Sequence, residues 1–193
     1  YSSIARGFKS GGFDIFANQA RVDLDEDLSV APEFITSYEL GMKSTWLDGR
    51  LRANGAIFYH LQEDMQVRQA QFDPNRFGPG NGGPVVRLVN AAEVEGRGAE
   101  IDLALQMTEG LTLTAGVGYV RSRFESFPGV TVIDGVIIDG SGNEVSFSPE
   151  FTANVALDHE IQLAGGGSWK SHVDYAFVDN MYNSSDGGIN HTY

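Results

Sequence analysis

The chain has 193 residues, 13 Lys+Arg against 26 Asp+Glu, a formal net charge of −13 and no cysteine. That balance lacks the basic footprint that phosphate backbones demand, so no nucleic-acid partner is expected, and disulfide staples and thiolate metal sites are excluded. No run approaches ~18 consecutive apolar residues, which excludes a transmembrane helix but not a membrane barrel, whose strands alternate apolar and polar positions.

The chain opens with Tyr1-Ser2-Ser3-Ile4-Ala5-Arg6, already strand-like, and Tyr1–Phe8 is the first predicted strand. A long polar connection, residues 9–32, follows. From Glu33 to Leu47, Phe34, Thr36, Tyr38, Leu40, Met42, Ser44 and Trp46 share one face, while Glu33, Glu39 and Lys43 lie on the other. That is a period of two. After the tight turn Asp48-Gly49-Arg50, Leu51, Ala53, Gly55, Ile57, Tyr59 and Leu61 alternate with Arg52, Asn54, His60, Gln62 and Asp64.

A second long connection, 70–86, precedes a strand in which Ile101, Leu103, Leu105 and Met107 alternate with Glu100, Asp102, Ala104 and Gln106. Thr108-Glu109-Gly110 turns the chain into Leu111, Leu113, Ala115, Val117 and Tyr119. A third long connection, 126–148, leads to Phe151, Ala153, Val155, Leu157, Ile161 and Leu163. Ala164-Gly165-Gly166-Gly167 is the last short turn, before Trp169, Val173, Tyr175 and Phe177. Seven strands are predicted, and no segment reads better as a helix.

Short and long connections therefore alternate. In an antiparallel meander they segregate to opposite ends of the sheet, as periplasmic turns and extracellular loops do in an outer-membrane barrel. Several segments sustain alternation for about 12 residues, enough to cross hydrocarbon, where a soluble strand averages about 5–6. Trp46 and Trp169 sit beside short turns on the apolar face, where an interfacial aromatic girdle belongs. At roughly 2.4 Å of rise per tilted residue, Arg97 stands about 24 Å above Met107, at the top of an apolar band about 25 Å tall. His159 breaks the pattern: parity points it outward, and either a bulge reverses it or it reaches the lower interface.

Several residue clusters invite a chemical reading. Asp23, Asp25, Glu26 and Asp27 suit a solvated loop better than a calcium site. Asp139-Gly140-Ser141-Gly142-Asn143 with Glu150 superficially resembles a calcium loop, but Glu144 replaces the sharp-turn glycine and the flanks are strands. Gly78-Pro79-Gly80-Asn81-Gly82-Gly83-Pro84 lacks the Gly-Lys-Ser/Thr ending of a phosphate loop. His60, His159, His172 and His191 show no ligand spacing. Glu39, Lys43, Glu100 and Asp102 lie on the polar face that a hydrated lumen requires anyway. No nucleophile with a positioned base can be named, so neither an enzyme nor a metal or cofactor site is expected.

The stretch Arg6-Gly7-Phe8-Lys9-Ser10-Gly11-Gly12-Phe13-Asp14 resembles a motif of TonB-dependent outer-membrane receptors. So do Pro32-Glu33, Tyr38-Glu39-Leu40-Gly41-Met42-Lys43-Ser44, and Asp48-Gly49-Arg50-Leu51 through Ile57-Phe58-Tyr59. Asn90-Ala91-Ala92 with Gly98-Ala99-Glu100-Ile101, and Ser148-Pro149-Glu150-Phe151, are similar to later motifs, with Ala99 where Val is usual. The resemblance implies an all-β, up-and-down transmembrane barrel of ~22 strands with a plugged lumen, of which residues 1–193 form an open arc. Both ends of the chain read as cut, with no plug domain and no terminal strand.

It further implies an outer-membrane location in a Gram-negative bacterium, contact with lipid, TonB and a plug domain, and a small-molecule ligand such as a ferric siderophore. Cobalamin or glycan uptake, or a passive porin-like channel, are the alternatives. The ligand contacts expected on this basis are Arg68, Phe72, Arg76 and Phe77 at the second long connection, with Phe13 and Phe16 on the first. Arg holds anionic chelates by bidentate hydrogen bonds and aromatics stack on planar groups.

Overall fold

The computed structural model describes residues 1–14, 28–74, 80–133 and 136–183. In chain order β1 (Ser2–Lys9) is followed by a two-residue pair, β2 (Gly12–Phe13) and β3 (Ser29–Val30). Next come β4 (Glu33–Trp46), β5 (Leu51–Asp73), β6 (Gly83–Thr108) and β7 (Leu111–Ser126). A small hairpin, β8 (Thr131–Ile133) and β9 (Val136–Ile138), precedes β10 (Phe151–Gln162) and β11 (Ser168–Val178). Seven strands form one open sheet in the order β1-β4-β5-β6-β7-β10-β11. Every neighbour is antiparallel.

Register carries the alternation from strand to strand. Met42, Gly55, Ile101, Val117, Ala153 and Phe177 form one outward row, and Trp46, Leu51, Leu105, Leu113, Leu157 and Val173 another. On the inner face, Lys43, Asn54, Asp102, Gly116, Asn154 and Ala176 share a row. The outward rows are uncovered: Leu40, Met42, Ile57, Ile101 and Trp169 each expose more than half of their surface. A contiguous apolar face of this extent on a sheet of long strands marks an interaction surface, as the outer face of a transmembrane barrel does.

The short turns are not level. Measured from the Trp46 row, the last pair of β4–β5 (Trp46–Leu51) lies in that row. The last pair of β6–β7 (Thr108–Leu111) lies about two residues lower and that of β10–β11 (Gln162–Ser168) about five. A slip of about five residues over four strands, at ~3.3 Å per residue and ~4.8 Å between strands, corresponds to a tilt of roughly 40°. That is the tilt a closed barrel needs.

Three expectations change. The second connection is far shorter than 70–86, because β5 runs on to Asp73 and β6 begins at Gly83. At about 2.4 Å per residue, β6 climbs roughly 60 Å, so its upper part stands well clear of the ~25 Å apolar band. The other long connections also contain structure, β2–β3 in the first and β8–β9 in the third. His159 is settled as well. Its register is continuous from Phe151 to the pair with Leu111, with no bulge, so it points outward at the level of the β6–β7 turn.

A bulge does occur in β5, between Gln62 and Met65, where Asp64 has φ of 54°. Asp tolerates the left-handed region better than most side chains. The bulge shifts parity, so Val67 joins Ala92, Val94, Phe124 and Phe127 in a buried cluster on the inner side. The third connection roofs this cluster: Val130 and Val145 pack on it, and the Ala70 N–H donates to Gly129 O at 2.8 Å.

Candidate ligand-binding site

The β5–β6 hairpin rises above the band and is held from both sides. Its inner face carries the apolar cluster. On the opposite face, Gln66 and Asn90 are register partners just above the bulge. Asn90 accepts the Ala31 N–H at 2.7 Å and donates to Ala31 O at 2.9 Å and Asp64 O at 2.7 Å. The Gln66 amide donates to Ser10 O and Ala31 O. The first connection is thereby fastened to the hairpin.

Glu33, the first residue of β4, completes the junction. Past it β5 has no β4 partner, and the Glu33 carboxylate takes up the bonds left over. Its Oε2 accepts the Gln66 backbone N–H at 2.7 Å, and its Oε1 accepts from the Gln62 amide at 3.2 Å. Lys9 Nζ stands 3.6 Å from Oε2. A buried carboxylate is retained only when its charge and lone pairs are satisfied in this way. Gly11 belongs to the same junction, because a Cβ there would meet Val30 O at 2.4 Å. Three of the motifs that carry the sequence resemblance, around Lys9–Asp14, Pro32-Glu33 and Asn90, thus converge on one hydrogen-bonded knot.

Of the expected ligand contacts, Arg68 and Phe72 lie on β5, four residues apart on the same exposed face of the hairpin. The Phe72 ring covers Gly82, where a Cβ would meet it at 2.4 Å. Phe13 is 72% exposed. Its neighbour Asp14 accepts the Leu88 N–H at 2.8 Å, and Leu88 is the register partner of Arg68. The fold therefore brings Phe13, Arg68 and Phe72 to one raised structure although they come from two connections. Arg76, Phe77 and Phe16 lie outside the described residues, as does the acidic cluster Asp23, Asp25, Glu26 and Asp27.

The segment Asp139–Asn143 is a turn. Asp139 Oδ1 accepts the Ser141 N–H at 2.8 Å, and Ser141 Oγ accepts the Phe127 N–H at 2.9 Å. The Ser141 hydroxyl, and then its backbone N–H, hold the Asp139 carboxyl below its ordinary pKa. This relay pins Phe127 into the apolar cluster. Neither it nor the Glu33 knot was read from the sequence. Burial along β6 switches from odd Val85 to even Ala92 and Val94, and the apolar Val86, Leu88 and Ala91 between them hide the switch in the sequence.

The inner wall below is polar and flat. The Phe58 and His60 rings stack with centroids 6.4 Å apart and lie over their register partners Gly98 and Gly96. Tyr1 covers Gly41 and donates its hydroxyl to Glu39 Oε1 at 2.5 Å, with Lys43 above its ring. Aromatic cover of strand glycines fixes register while keeping the surface low. Asp158 and Asp174 flank His172, at 2.7 and 3.3 Å.

Long tilted antiparallel strands, an uncovered apolar outer face and a polar inner face define an arc of a transmembrane β-barrel. The profile of the family described as TonB dependent receptor-like, beta-barrel matches residues 1–192, and the chain belongs to that family. A ferric-pyoverdine 358 receptor of Pseudomonas putida is 30% identical over 173 residues, 89% of this chain and 19% of that protein. The ferric-pyoverdine M114 receptor PbuA of Pseudomonas sp. (strain M114) is 30% identical over 57% of this chain and 12% of its own length. The chain thus spans a fifth or less of these relatives.

Among solved structures, the ferric yersiniabactin uptake receptor FyuA from Yersinia pestis superposes with a TM-score of 0.71 at 20% identity, covering 100% of this chain and 25% of that one. The siderophore receptor PiuA from Acinetobacter baumannii gives 0.67 at 19% identity, covering 96% of this chain and 24% of the other. These two likenesses establish the fold: an open seven-stranded arc of the barrel.

Proposed function

We propose that this chain is part of an outer-membrane receptor of a Gram-negative bacterium that imports a ferric siderophore, with energy delivered through TonB to a plug in the lumen. The observation that carries this reading is the 30% identity to a ferric-pyoverdine receptor across 89% of the chain. The raised β5–β6 hairpin supports it. In this reading Arg68 meets the anionic chelate by charge-assisted hydrogen bonds, and Phe72 and Phe13 stack on its planar groups. Arg76, Phe77 and Phe16 are proposed as further contacts on residue type alone. Ligand contact disturbs the plug, and the pull of TonB opens the path. The role is transport and not catalysis.

The test is uptake of radiolabelled iron as ferric pyoverdine by cells expressing the full-length receptor. Uptake is expected to vanish without TonB, and Arg68→Ala is expected to weaken binding about tenfold, or 1.4 kcal/mol. Uptake that persists without TonB identifies a passive pore instead. Transport of cobalamin or an oligosaccharide in place of the chelate overturns the siderophore assignment.

A further inference from the structure

We propose that the outward face of β4–β6 holds one phosphorylated lipid of the leaflet nearest the long loops, its acyl chain in a groove over Gly55 and its phosphate on Arg97. The inference rests on the lipid-facing orientation of this sheet face and not on the identity of the imported ligand.

The groove has a volume of about 500 Å³ and is bounded on the outward side by Leu40, Met42, Ala53, Ile57, Ala99 and Ile101. It is open because three adjacent outward positions, Ala53, Gly55 and Ala99, carry little or no side chain between rows of larger ones. The backbone does not require the glycine. A Cβ at Gly55 would sit 3.4 Å from Glu100 O and 3.8 Å from Ile101 Cγ1, ordinary contact distances. A larger apolar residue would therefore fit, and its absence leaves an apolar trough open to a hydrocarbon chain.

The upper end of the trough is polar in a specific way. On β6 the next outward residue above Ala99 is Arg97, which is exposed and forms no ion pair with any of the described residues. Its register partners are Tyr59 on one side and Arg121 on the other. Tyr59 leans on Tyr38, with ring centroids 6.3 Å apart. Arg121 is engaged by Glu150 at 3.6 Å and Arg123 by Glu144 at 3.3 Å, while Glu95, one outward step higher, bonds the Tyr59 hydroxyl. A guanidinium without an ion-pair partner among the described residues, at the hydrocarbon boundary beside Tyr59, suits a phosphate headgroup whose chain runs down the trough.

The experiment uses the full-length receptor purified in detergent and native mass spectrometry with two probes, lipid A and its dephosphorylated form. The wild type is expected to retain one lipid A, Arg97→Gln to lower retention about tenfold, and Gly55→Leu to abolish it. Dephosphorylated lipid is expected to bind wild type and Arg97→Gln alike. If Gly55→Leu does not fold, Ala99→Leu fills the same trough. Retention of lipid A at wild-type level by the Arg97 and trough-filling variants overturns the proposal. Equal retention of both probes by the wild type overturns it too, because it identifies ordinary annular lipid.

Discussion

The Glu33 carboxylate accepts the backbone N–H of Gln66 at 2.7 Å, joining the first residue of β4 to the residue just above the β5 bulge. The bond closes a gap that sheet geometry leaves open, since β4 ends where β5 continues for another ten residues or so. Glu33→Ala is expected to cost about 1–3 kcal/mol locally, the penalty of an unsatisfied donor and a lost charge-assisted bond. Faster hydrogen exchange at the Gln66 amide checks it. Unchanged exchange there would mean that water replaces the carboxylate at no cost.

Asp64 sits at φ of 54°. Replacement by Gly is expected to leave stability within about 0.5 kcal/mol, while Val is expected to cost about 1–2 kcal/mol. Unfolding of the two full-length variants, compared in one detergent, measures the difference. Equal stability of Gly and Val would contradict the left-handed assignment.

Depth in the band sets the cost of charge. Ile101 is outward in a central row and Asn54 is its inner-face neighbour one step away on β5. Ile101→Arg is expected to destabilise by about 2–4 kcal/mol, and Asn54→Lys, beside Asp102 in the lumen, to be mild. Denaturant titration of the folded receptor in bilayers distinguishes them. Similar costs at both sites would remove the lipid-facing assignment.

Asp139 responds to pH in one direction. Its folded pKa is depressed by Ser141. The bond therefore stabilises the turn fully above the ordinary carboxylate value and is lost as pH falls through the lower folded value. The Phe127 amide is expected to lose protection in that acidic window, and Asp139→Asn to remove the pH dependence. Protection that is flat across the window would exclude the relay.

The strands, their faces and the short turns were legible because an apolar outer face and a polar inner face impose a period of two. That signal fades above the band, where both faces of a strand meet protein or water. Residues 70–73 and 83–86 therefore read as loop although they are strand. The Asp64 bulge compounds the loss by moving Val67 to the face that parity denies it. Arg68 and Phe72 were found as candidates by residue type, but their shared face follows only from the hairpin. The Glu33 knot joins residues up to 59 apart, as in Ala31 and Asn90, and no local pattern encodes such a contact. His159 went the other way: simple parity held because register runs through β10 unbroken.

A bare two-stranded ribbon standing in water is a floppy object. The β5–β6 hairpin is instead braced by the first connection on one face and by the Phe124–Phe127 cluster on the other. Mechanically it is a stiff post with two struts. Force applied to the ribbon is passed down to the wall through both struts as well as through its own strands. A push on the ribbon is thus shared with β4 through Glu33 and with β7 through Phe124.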